Sequence, residues 1–208
     1  IVLIIDFINY WTHRVFHTNA ILWPLHRLHH SAEVLNPLTI HRKHPLFTFI
    51  NSAMQTLVVG TVTAIVFSIF VGKPNYYNML GVSMLRAVFN LTGAALRHTH
   101  IWISYGPYVS KILISPAQHQ VHHSVQKKHL NKNFGEIFAL WDWLFGTLYI
   151  PQTKEELQFG LSKRSVPIHD TVFKAYVEPI HSCALGIWGT IAKLYPLINR
   201  KKNCENST

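Results

Sequence analysis

Histidines are unusually frequent in this chain, and most of them fall in short segments. The 208 residues include 15 histidines. His13 and His17 are four residues apart, and the hexapeptides HRLHHS (26–31) and HQVHHS (119–124) each place three histidines at positions i, i+3 and i+4. Residues at these spacings share one face of an α-helix. Each segment can therefore present its imidazoles to a common ligand.

The number of imidazoles indicates more than one metal ion. Imidazole is the commonest metal ligand in proteins and suits iron, zinc, copper and nickel. The three segments supply eight rings, and His98 and His100 stand between the last two segments. One tetrahedral zinc ion takes three or four protein ligands, so eight to ten histidines fit two metals or two separate sites. We therefore expect a dinuclear centre.

Few carboxylates accompany these histidines. The sequence has no HExxH motif and no pair of Glu-x-x-His motifs, which soluble carboxylate-bridged di-iron bundles use. Asp6 lies on the helix face that carries His13 and His17, and Asp142 follows the last hexapeptide. We expect Asp6 and Asp142 to accept hydrogen bonds from ring N–H groups of ligand histidines. An equally simple interpretation of Asp6 is a charge near a helix N-terminus.

A long uncharged stretch predicts a membrane-spanning helix between the histidine segments. Apolar residues make up 49% of the chain and charged residues 13%, and residues 45–72 contain no Asp, Glu, Lys or Arg. About 20 apolar residues are enough to cross a bilayer. Residues 76–96 carry only Arg86 and could return, which gives a helical hairpin. The alternative is a buried helix pair in a soluble protein, and Arg86 favours it because an Arg in a spanning helix must face protein or water.

The hairpin would place both hexapeptides on one side of the membrane. A chain that crosses twice returns to its starting side, so residues 1–44 and 97–150 would share a compartment. These flanks are rich in Arg and Lys, whereas the connecting loop has only Lys73, and the positive-inside rule assigns such flanks to the cytoplasm. We predict an all-α, multi-pass integral membrane protein with a helical di-metal site facing the cytoplasm.

The catalytic part of the chain is predicted to end near residue 160. Residues 1–160 hold the histidine segments, and residues 161–208 are predicted to form a helical extension at the membrane interface. Two helices divided near Pro179 are expected there, with Trp188 and Tyr195 at headgroup level. Because the chain opens on an apolar run without an initiator Met, we also expect a segment upstream of it.

The basic composition has a lipid rather than a nucleic-acid explanation. The formal net charge is +10, and an excess of basic residues of this size often indicates binding to nucleic acid. The basic residues, however, cluster beside the histidine segments and at the tail, without a nucleic-acid-binding motif around them. Anionic lipid headgroups fit better. Cys183 and Cys204 lack paired spacing, so neither a disulfide framework nor a thiolate metal site is expected.

The histidine segments and their flanks together resemble the membrane-bound fatty acid hydroxylase and sterol desaturase superfamily. The resemblance covers roughly residues 3–160. It implies an integral membrane, non-haem enzyme with two Fe ions that uses O2 to hydroxylate or desaturate a lipid, such as a sterol, fatty acyl, sphingoid or ether lipid. Electrons would come from an external donor of the cytochrome b5, ferredoxin or reductase type. The segments that carry the resemblance are DFINYWTHRVFH (6–17), LWPLHRLHHS (22–31), NPLTIHRKHP (36–45), SPAQHQVHHS (115–124) and NFGEIFALWDWLFGTLYIP (133–151).

The resemblance also implies a set of iron ligands. An additional histidine commonly completes the set before the last box, and His98, His100 or both could take that place. The better-known fatty acyl hydroxylases have two histidines four apart at this point, whereas here they are two apart. His44, which precedes the apolar stretch, is expected to cap or pack rather than to bind metal. The implied ligands are His13, His17, His26, His29, His30, His98, His100, His119, His122 and His123.

Two other classes of protein fit parts of the pattern. A membrane metal-binding or metal-transport protein would explain the histidines, but it predicts ligands within the spanning helices rather than beside them. A zinc-dependent membrane hydrolase is disfavoured because the ligands are too many and no Glu is placed as a general base. The identity of the bound metal separates both from an iron oxygenase.

Overall fold

The computed structural model is helical in the part of the chain that it describes. It describes residues 1–66, 68–69, 81, 84, 87–89, 91–161 and 171–205, with the side chains of the last helix described to residue 193. No strand occurs in these ranges, which confirms the all-α prediction. The returning arm predicted at 76–96, including Arg86, lies largely outside the described residues. The helices are α1 Val2–Thr18, α2 Trp23–His30, α3 Pro45–Val66, α4 Gly93–Arg97, α5 Gly106–Val109, α6 Pro116–His122, α7 Leu140–Leu144 and α8 Val172–Glu205, with 3-10 turns at Pro37–His41 and Lys127–His129.

Helix α3 has the length and surface of a membrane span. Its 22 residues extend about 33 Å at 1.5 Å per residue, which matches a hydrocarbon core of about 30 Å. Only 6% of its most apolar window is buried inside the protein, and Phe49 and Leu57 are among its exposed side chains. The helix of a soluble core would be mostly buried. Among the described helices, α3 alone is long and apolar enough to cross a membrane.

A small apolar core holds the first three helices together. Phe16 of α1, Leu25 of α2 and Phe47 of α3 pack into one cluster. The rings of Phe16 and Phe47 meet edge to face with centroids 4.8 Å apart, an arrangement that aromatic pairs prefer. This cluster fixes the angle at which the histidine faces of α1 and α2 meet.

An aromatic layer attaches the segment after the last hexapeptide to the outer face of α1. Phe145 stacks on Tyr10 with ring centroids 5.5 Å apart, and it meets the edge of Trp11 at 4.9 Å. Trp141 packs against Phe7 at 5.0 Å. Residues 133–149 are thereby held beside the histidines of α1, although they are more than a hundred residues away in sequence.

Helix α8 is continuous, so the predicted division near Pro179 is wrong. Proline removes one backbone hydrogen bond and usually kinks a helix, but α8 is anchored on both sides of it. His44 Nε2 donates to the Tyr176 carbonyl at 2.8 Å, and Cys183 Sγ donates to the Ile21 carbonyl at 2.8 Å. These contacts hold both halves of the helix in one line. The predicted interfacial position of this region stays a prediction.

Substitution of Phe16 tests whether the small core fixes the helices. We expect Phe16→Ala to lower the melting temperature in detergent on the order of 10 °C, because truncating a buried Phe costs about 3–5 kcal/mol. The matched control is Phe49→Ala, since Phe49 is 68% exposed whereas Phe16 is 2% exposed. Equal losses for the two variants would contradict this view of the core.

Candidate metal centre

The helices bring nine of the ten predicted ligands into two adjoining groups. In each group every residue offers one ring nitrogen, and these nitrogens all lie within 4.8 Å of one another. Groups of this size and spacing can each hold a metal ion. The five-histidine group is His13, His17, His26, His30 and His122, and the four-histidine group is His29, His98, His119 and His123.

Each hexapeptide contributes to both groups. Helix α2 sends its i and i+4 residues, His26 and His30, to the five-histidine group and sends His29 to the four-histidine group. Helix α6 and its C-cap residue His123 do the reverse. His122 joins the five-histidine group, whereas His119 and His123 join the four-histidine group. His30 and His123 stack between the groups with ring centroids 4.3 Å apart. The two hexapeptides are therefore interlocked parts of one centre.

The five-histidine group is short of hydrogen-bond partners. The Nε2 atom of every member is buried, and none has a partner among the described residues. Leaving one buried polar atom unsatisfied costs about 1–3 kcal/mol, and such atoms are rare in folded proteins unless a ligand or ion accounts for them. Five unpaired imidazole nitrogens that converge on one another fit a bound cation.

The four-histidine group shows the spacing expected around one ion. His119 Nε2 lies 3.0 Å from His98 Nε2 and 3.2 Å from His123 Nε2. Imidazole nitrogens bound to one ion at about 2.1 Å are roughly 3.0–3.4 Å apart, depending on the coordination angle. These three nitrogens therefore already stand at ligand separation.

Backbone carbonyls set the tautomers of two ligands in the five-histidine group. His13 Nδ1 donates to the Phe134 carbonyl at 2.9 Å, and His122 Nδ1 donates to the Lys132 carbonyl at 2.8 Å. A carbonyl oxygen can only accept, so Nδ1 carries the proton in both rings. The lone pair is left on Nε2, which faces the other ligands, and this is the usual way in which proteins orient metal-binding histidines.

His98 is oriented by a hydroxyl in the NPLT segment. The Thr39 hydroxyl donates to the Asn36 carbonyl at 2.7 Å, so its oxygen accepts the proton of His98 Nδ1 at 3.0 Å. Thr39 and Asn36 also form the capping box of the 3-10 turn Pro37–His41. Sequence reasoning missed the role of Thr39, although the Asn-Pro-x-Thr capping pattern was visible.

The structure selects His98 over His100. His98 is 1% exposed and belongs to the four-histidine group, whereas His100 is exposed and lies outside both groups. Gln120 of α6 donates to the carbonyls of Thr99 and Ile101, which holds this segment along α6 with His100 turned outward. Of the two histidines considered for the last ligand position, the structure therefore brings His98 and not His100 to the other candidates. His44 also lies outside both groups; its Nδ1 accepts from the Leu46 backbone N–H at the start of α3, which confirms a capping role.

Asp142 acts on the centre through the backbone rather than through a ligand ring. Its carboxylate accepts from the backbone N–H groups of Phe134 at 2.8 Å and Gly135 at 2.7 Å, and from the Thr147 hydroxyl at 2.6 Å. The carbonyl of Phe134 in turn accepts from His13. The expected direct bond to a ring is therefore corrected: Asp142 fixes the loop whose carbonyl orients the ligand.

Asp6 also binds backbone N–H groups of this loop, and these groups follow those bound by Asp142 in the chain. Its carboxylate accepts from the backbone N–H groups of Ile137 at 2.8 Å and Phe138 at 3.0 Å, and from Trp141 Nε1 at 3.1 Å. It therefore joins α1 to the loop and does not accept from a histidine ring, which corrects the prediction. Burial raises the pKa of Asp6 to about 6 and raises that of Asp142 as well.

Gly135 is a site residue that sequence reasoning missed. A Cβ at this position would lie 2.4 Å from the Phe138 carbonyl oxygen and 2.8 Å from Asp142 Oδ2. Only glycine lets the loop approach the carboxylate closely enough for both N–H groups to bind it. The lone glycine in the NFGE segment was the available signal.

Burial keeps the imidazoles neutral. It is the largest effect on each ring of both groups, and neighbouring positive charge acts in the same direction. It lowers the pKa of His98 to about 3 and that of His122 to about 4, and it holds the pKa of each of the other seven well below its ordinary value. Metal binding requires the neutral ring. The centre therefore presents its lone pairs at neutral pH without having to lose protons.

A cavity of about 60 Å³ opens beside both groups. Since a buried water needs about 10–15 Å³, it has room for a few water-sized molecules. Histidines of both groups line it, together with an apolar part and a polar part. The lining residues are His13, His26, His29, His98 and His119, then Ile40, Phe47, Phe134 and Gly135, then Asn9, Lys43, Asn51, Arg97 and Glu136.

The comparisons with known proteins agree on one family of lipid-modifying enzymes. The sequence model of the family described as fatty acid hydroxylase matches residues 1–147. The chain is 28% identical over 186 residues to alkylglycerol monooxygenase from Xenopus tropicalis, which covers 89% of the chain and 36% of that protein. It is 29% identical to ornithine lipid hydroxylase from Rhizobium tropici, covering 76% and 44%, and 29% identical to a Delta(7)-sterol 5(6)-desaturase from Aspergillus fumigatus, covering 69% and 45%. The chain spans less than half the length of these relatives. No solved structure is significantly similar to it.

The pair His98 and His100 tests the composition of the four-histidine group. After reconstitution with Fe(II) and dialysis against a weak chelator, we expect His98→Ala to retain one fewer iron ion per chain than the unmodified protein, because one group has lost a converging ligand. His100→Ala should keep the full amount. Metal analysis of the purified variants measures both, and loss of iron in the His100 variant alone would contradict the assignment.

Replacement of Asp142 tests whether the loop orients His13. Asp142→Asn puts an amide N–H₂ against backbone N–H donors, so the Phe134 carbonyl should shift and iron affinity should fall about 10- to 100-fold, the usual cost of losing a residue that orients a ligand. Chelator competition measures the affinity, and thermal melting shows whether the variant is folded. The control is Glu156→Gln, an exposed acid. A folded Asp142 variant with unchanged affinity would refute the role.

Proposed function

Because the chain belongs to the fatty acid hydroxylase family, we propose that it is the catalytic part of a membrane oxidoreductase that hydroxylates or desaturates a lipid. It would use two histidine-bound iron ions, O2 and electrons from an external donor. The observation that carries the proposal is the pair of histidine groups with converging ring nitrogens, since the Nε2 atoms of the five-histidine group have no hydrogen-bond partner among the described residues. The catalytic part would be residues 1–160, with residues 161–208 as an extension at the membrane.

The residues present fit an all-histidine di-iron centre. The five-histidine group would hold one ion and the four-histidine group the other. Iron bound there would supply the redox change that activates O2 towards an unactivated C–H bond. The neutral imidazoles favour this because they bind a cation without displacing protons and are not consumed in oxidative turnover. No carboxylate belongs to either group among the described residues, which distinguishes the centre from carboxylate-bridged bundles.

Aromatic side chains keep water away from the five-histidine group. The Phe134 ring lies 5.7 Å from His13, 5.2 Å from His17 and 5.8 Å from His122, between ring centroids. On the other side, Phe47 lies 4.6 Å from His26. Both phenylalanines are almost fully buried. A dry site strengthens electrostatic interactions and protects a reactive oxidant from side reactions with water.

The start of α3 connects the metal centre to the membrane. Phe47, the third residue of α3, is the side chain that contacts His26, so the centre lies within the first turn of the apolar helix. A lipid lying along the exposed face of α3 would therefore lie close to the histidines. We place this end of α3 on the cytoplasmic side, because Arg42 and Lys43 directly precede it.

The same arrangement disfavours a transport protein. A transporter would carry metal ligands along its spanning helices, whereas the histidine groups stand at the end of α3. Among lipids, an alkylglycerol-type ether lipid is the first substrate to test, since an alkylglycerol monooxygenase covers 89% of the chain. A sterol is the second, on the similarity to a sterol desaturase.

Lipid analysis of cells expressing the full-length protein tests the function. We expect a product heavier by one oxygen atom, or lighter by two hydrogen atoms, than a lipid of the control cells. His122→Ala should abolish both the product and most bound iron, because it removes a ligand of the five-histidine group. His181→Ala, an exposed histidine of α8, should change neither. Full turnover by the His122 variant, or stoichiometric zinc in iron-replete cells, would count against an iron oxygenase.

A further inference from the structure

The cavity beside the metal centre is unexpectedly polar for an enzyme acting on hydrocarbon. Five of its lining residues are polar or charged and face the same space as the histidines: Asn9, Lys43, Asn51, Arg97 and Glu136. Burying polar groups is unfavourable unless they are paired or have a ligand. A centre that oxidises the middle of an alkyl chain needs an apolar channel at this place.

Helix α3 supplies a stripe that points at the centre. Phe47 and Gln55 are its buried residues among those described, and Asn51 lies midway between them, so the three share one face at positions i, i+4 and i+8. The neighbouring faces are exposed and apolar. Polar amides in a spanning helix are found where they contact protein partners or line a site. Asn51 and Gln55 therefore belong to the centre rather than to the lipid surface.

The polar side chains are held in place by a network across four elements. Asn51 Nδ2 donates to Asn9 Oδ1 at 3.2 Å, and Gln55 donates to the same oxygen. Asn9 of α1 donates to the carboxylate of Glu136. Arg97 of α4, which is buried, forms an ion pair with Glu136 at 3.3 Å. Such a network is preorganised to recognise a ligand, since its members do not have to be ordered on binding.

Two atoms of the network have no hydrogen-bond partner among the described residues. Asn51 Oδ1 is a buried acceptor and Arg97 Nε is a buried donor, and both residues line the cavity. Lys43 also lines the cavity, and its side chain carries a further donor. A hydroxyl group both donates and accepts, so it can satisfy Asn51 Oδ1 while accepting from Arg97 or Lys43. A phosphate or carboxylate has no proton for Asn51.

We propose that these residues form a subsite for the uncharged, hydroxyl-bearing headgroup of the lipid, so that the C–H bond oxidised at the metals lies within a few bonds of the headgroup. This inference rests on the proposed function and narrows its substrate class. In the hydroxylation case the C–H bond is replaced by a C–O bond to one atom of O2. The other atom leaves as water, with two electrons from the external donor and two protons from solvent.

The test compares a lipid with its blocked analogue. The full-length, iron-loaded enzyme is given an O-alkylglycerol and the same lipid with its hydroxyls methylated, or the equivalent pair for whichever lipid the cellular comparison identifies. We expect kcat/KM to be at least about tenfold higher for the free-hydroxyl lipid, since tenfold corresponds to the loss of one buried hydrogen bond. Asn51→Leu should remove that preference by lowering kcat/KM for the free-hydroxyl lipid to the level of the methylated lipid, while the amount of bound iron per chain stays the same.

The matched control is Ser52→Leu, the exposed neighbour on α3, which should keep the preference. Tandem mass spectrometry of the wild-type product gives a second readout that does not depend on any variant folding, and it should locate the new oxygen or double bond within a few bonds of the headgroup. Equal use of both lipids, a preference that survives Asn51→Leu, or a mid-chain product would overturn the subsite. An iron-free protein without turnover of any lipid would instead refute the proposed function.

Discussion

The structure depends on one constraint, the convergence of nine neutral imidazoles on two adjoining sites, where the Nε2 atoms of the five-histidine group are buried and have no hydrogen-bond partner among the described residues. Imidazole rings placed so closely repel one another when they are charged, and they leave unsatisfied buried atoms when they are neutral. In either state the metal-free protein loses folding free energy at this centre. The rest of the fold offsets this penalty. The phenylalanine core fixes α1 against α2, carbonyls and a hydroxyl orient individual rings, and two buried carboxylates hold the loop that supplies one of these carbonyls. The proposed pair of metal ions would offset the remaining cost.

Helical spacing predicts much of this centre, because one pair of histidines at i and i+4 and two hexapeptides with histidines at i, i+3 and i+4 leave few other arrangements. It does not predict how ligands divide between the groups. His26 and His30 belong to one group and His29 to the other, where His29 lies beside His98 and the histidines of α6. This division depends on tertiary contacts. His98 and His100 differ in their tertiary contacts, since Thr39 binds the His98 ring and Gln120 holds the carbonyls on either side of His100. The local sequence predicts neither the division of the ligands nor the direction of His100.

The carboxylates show a second limit of sequence reasoning. Sequence position predicts that Asp6 and Asp142 lie near the centre, and in the structure both are buried against the loop that orients His13. Their partners are backbone N–H groups of a distant loop, which has no regular pattern to recognise. The continuity of α8 through Pro179 has a similar origin, since contacts with Ile21 and His44 on other elements outweigh the local preference for a kink. In each case a long-range contact decides what the local sequence leaves open.

X-ray absorption at the iron K-edge can decide whether the chain binds two irons through histidine alone. With iron counted per purified chain, we expect two ions, a first shell of nitrogen or oxygen at about 2.1 Å, and outer-shell scattering from between four and five imidazoles per iron on average. One iron per chain, a sulfur shell at about 2.3 Å, or three or fewer imidazoles per iron would contradict it.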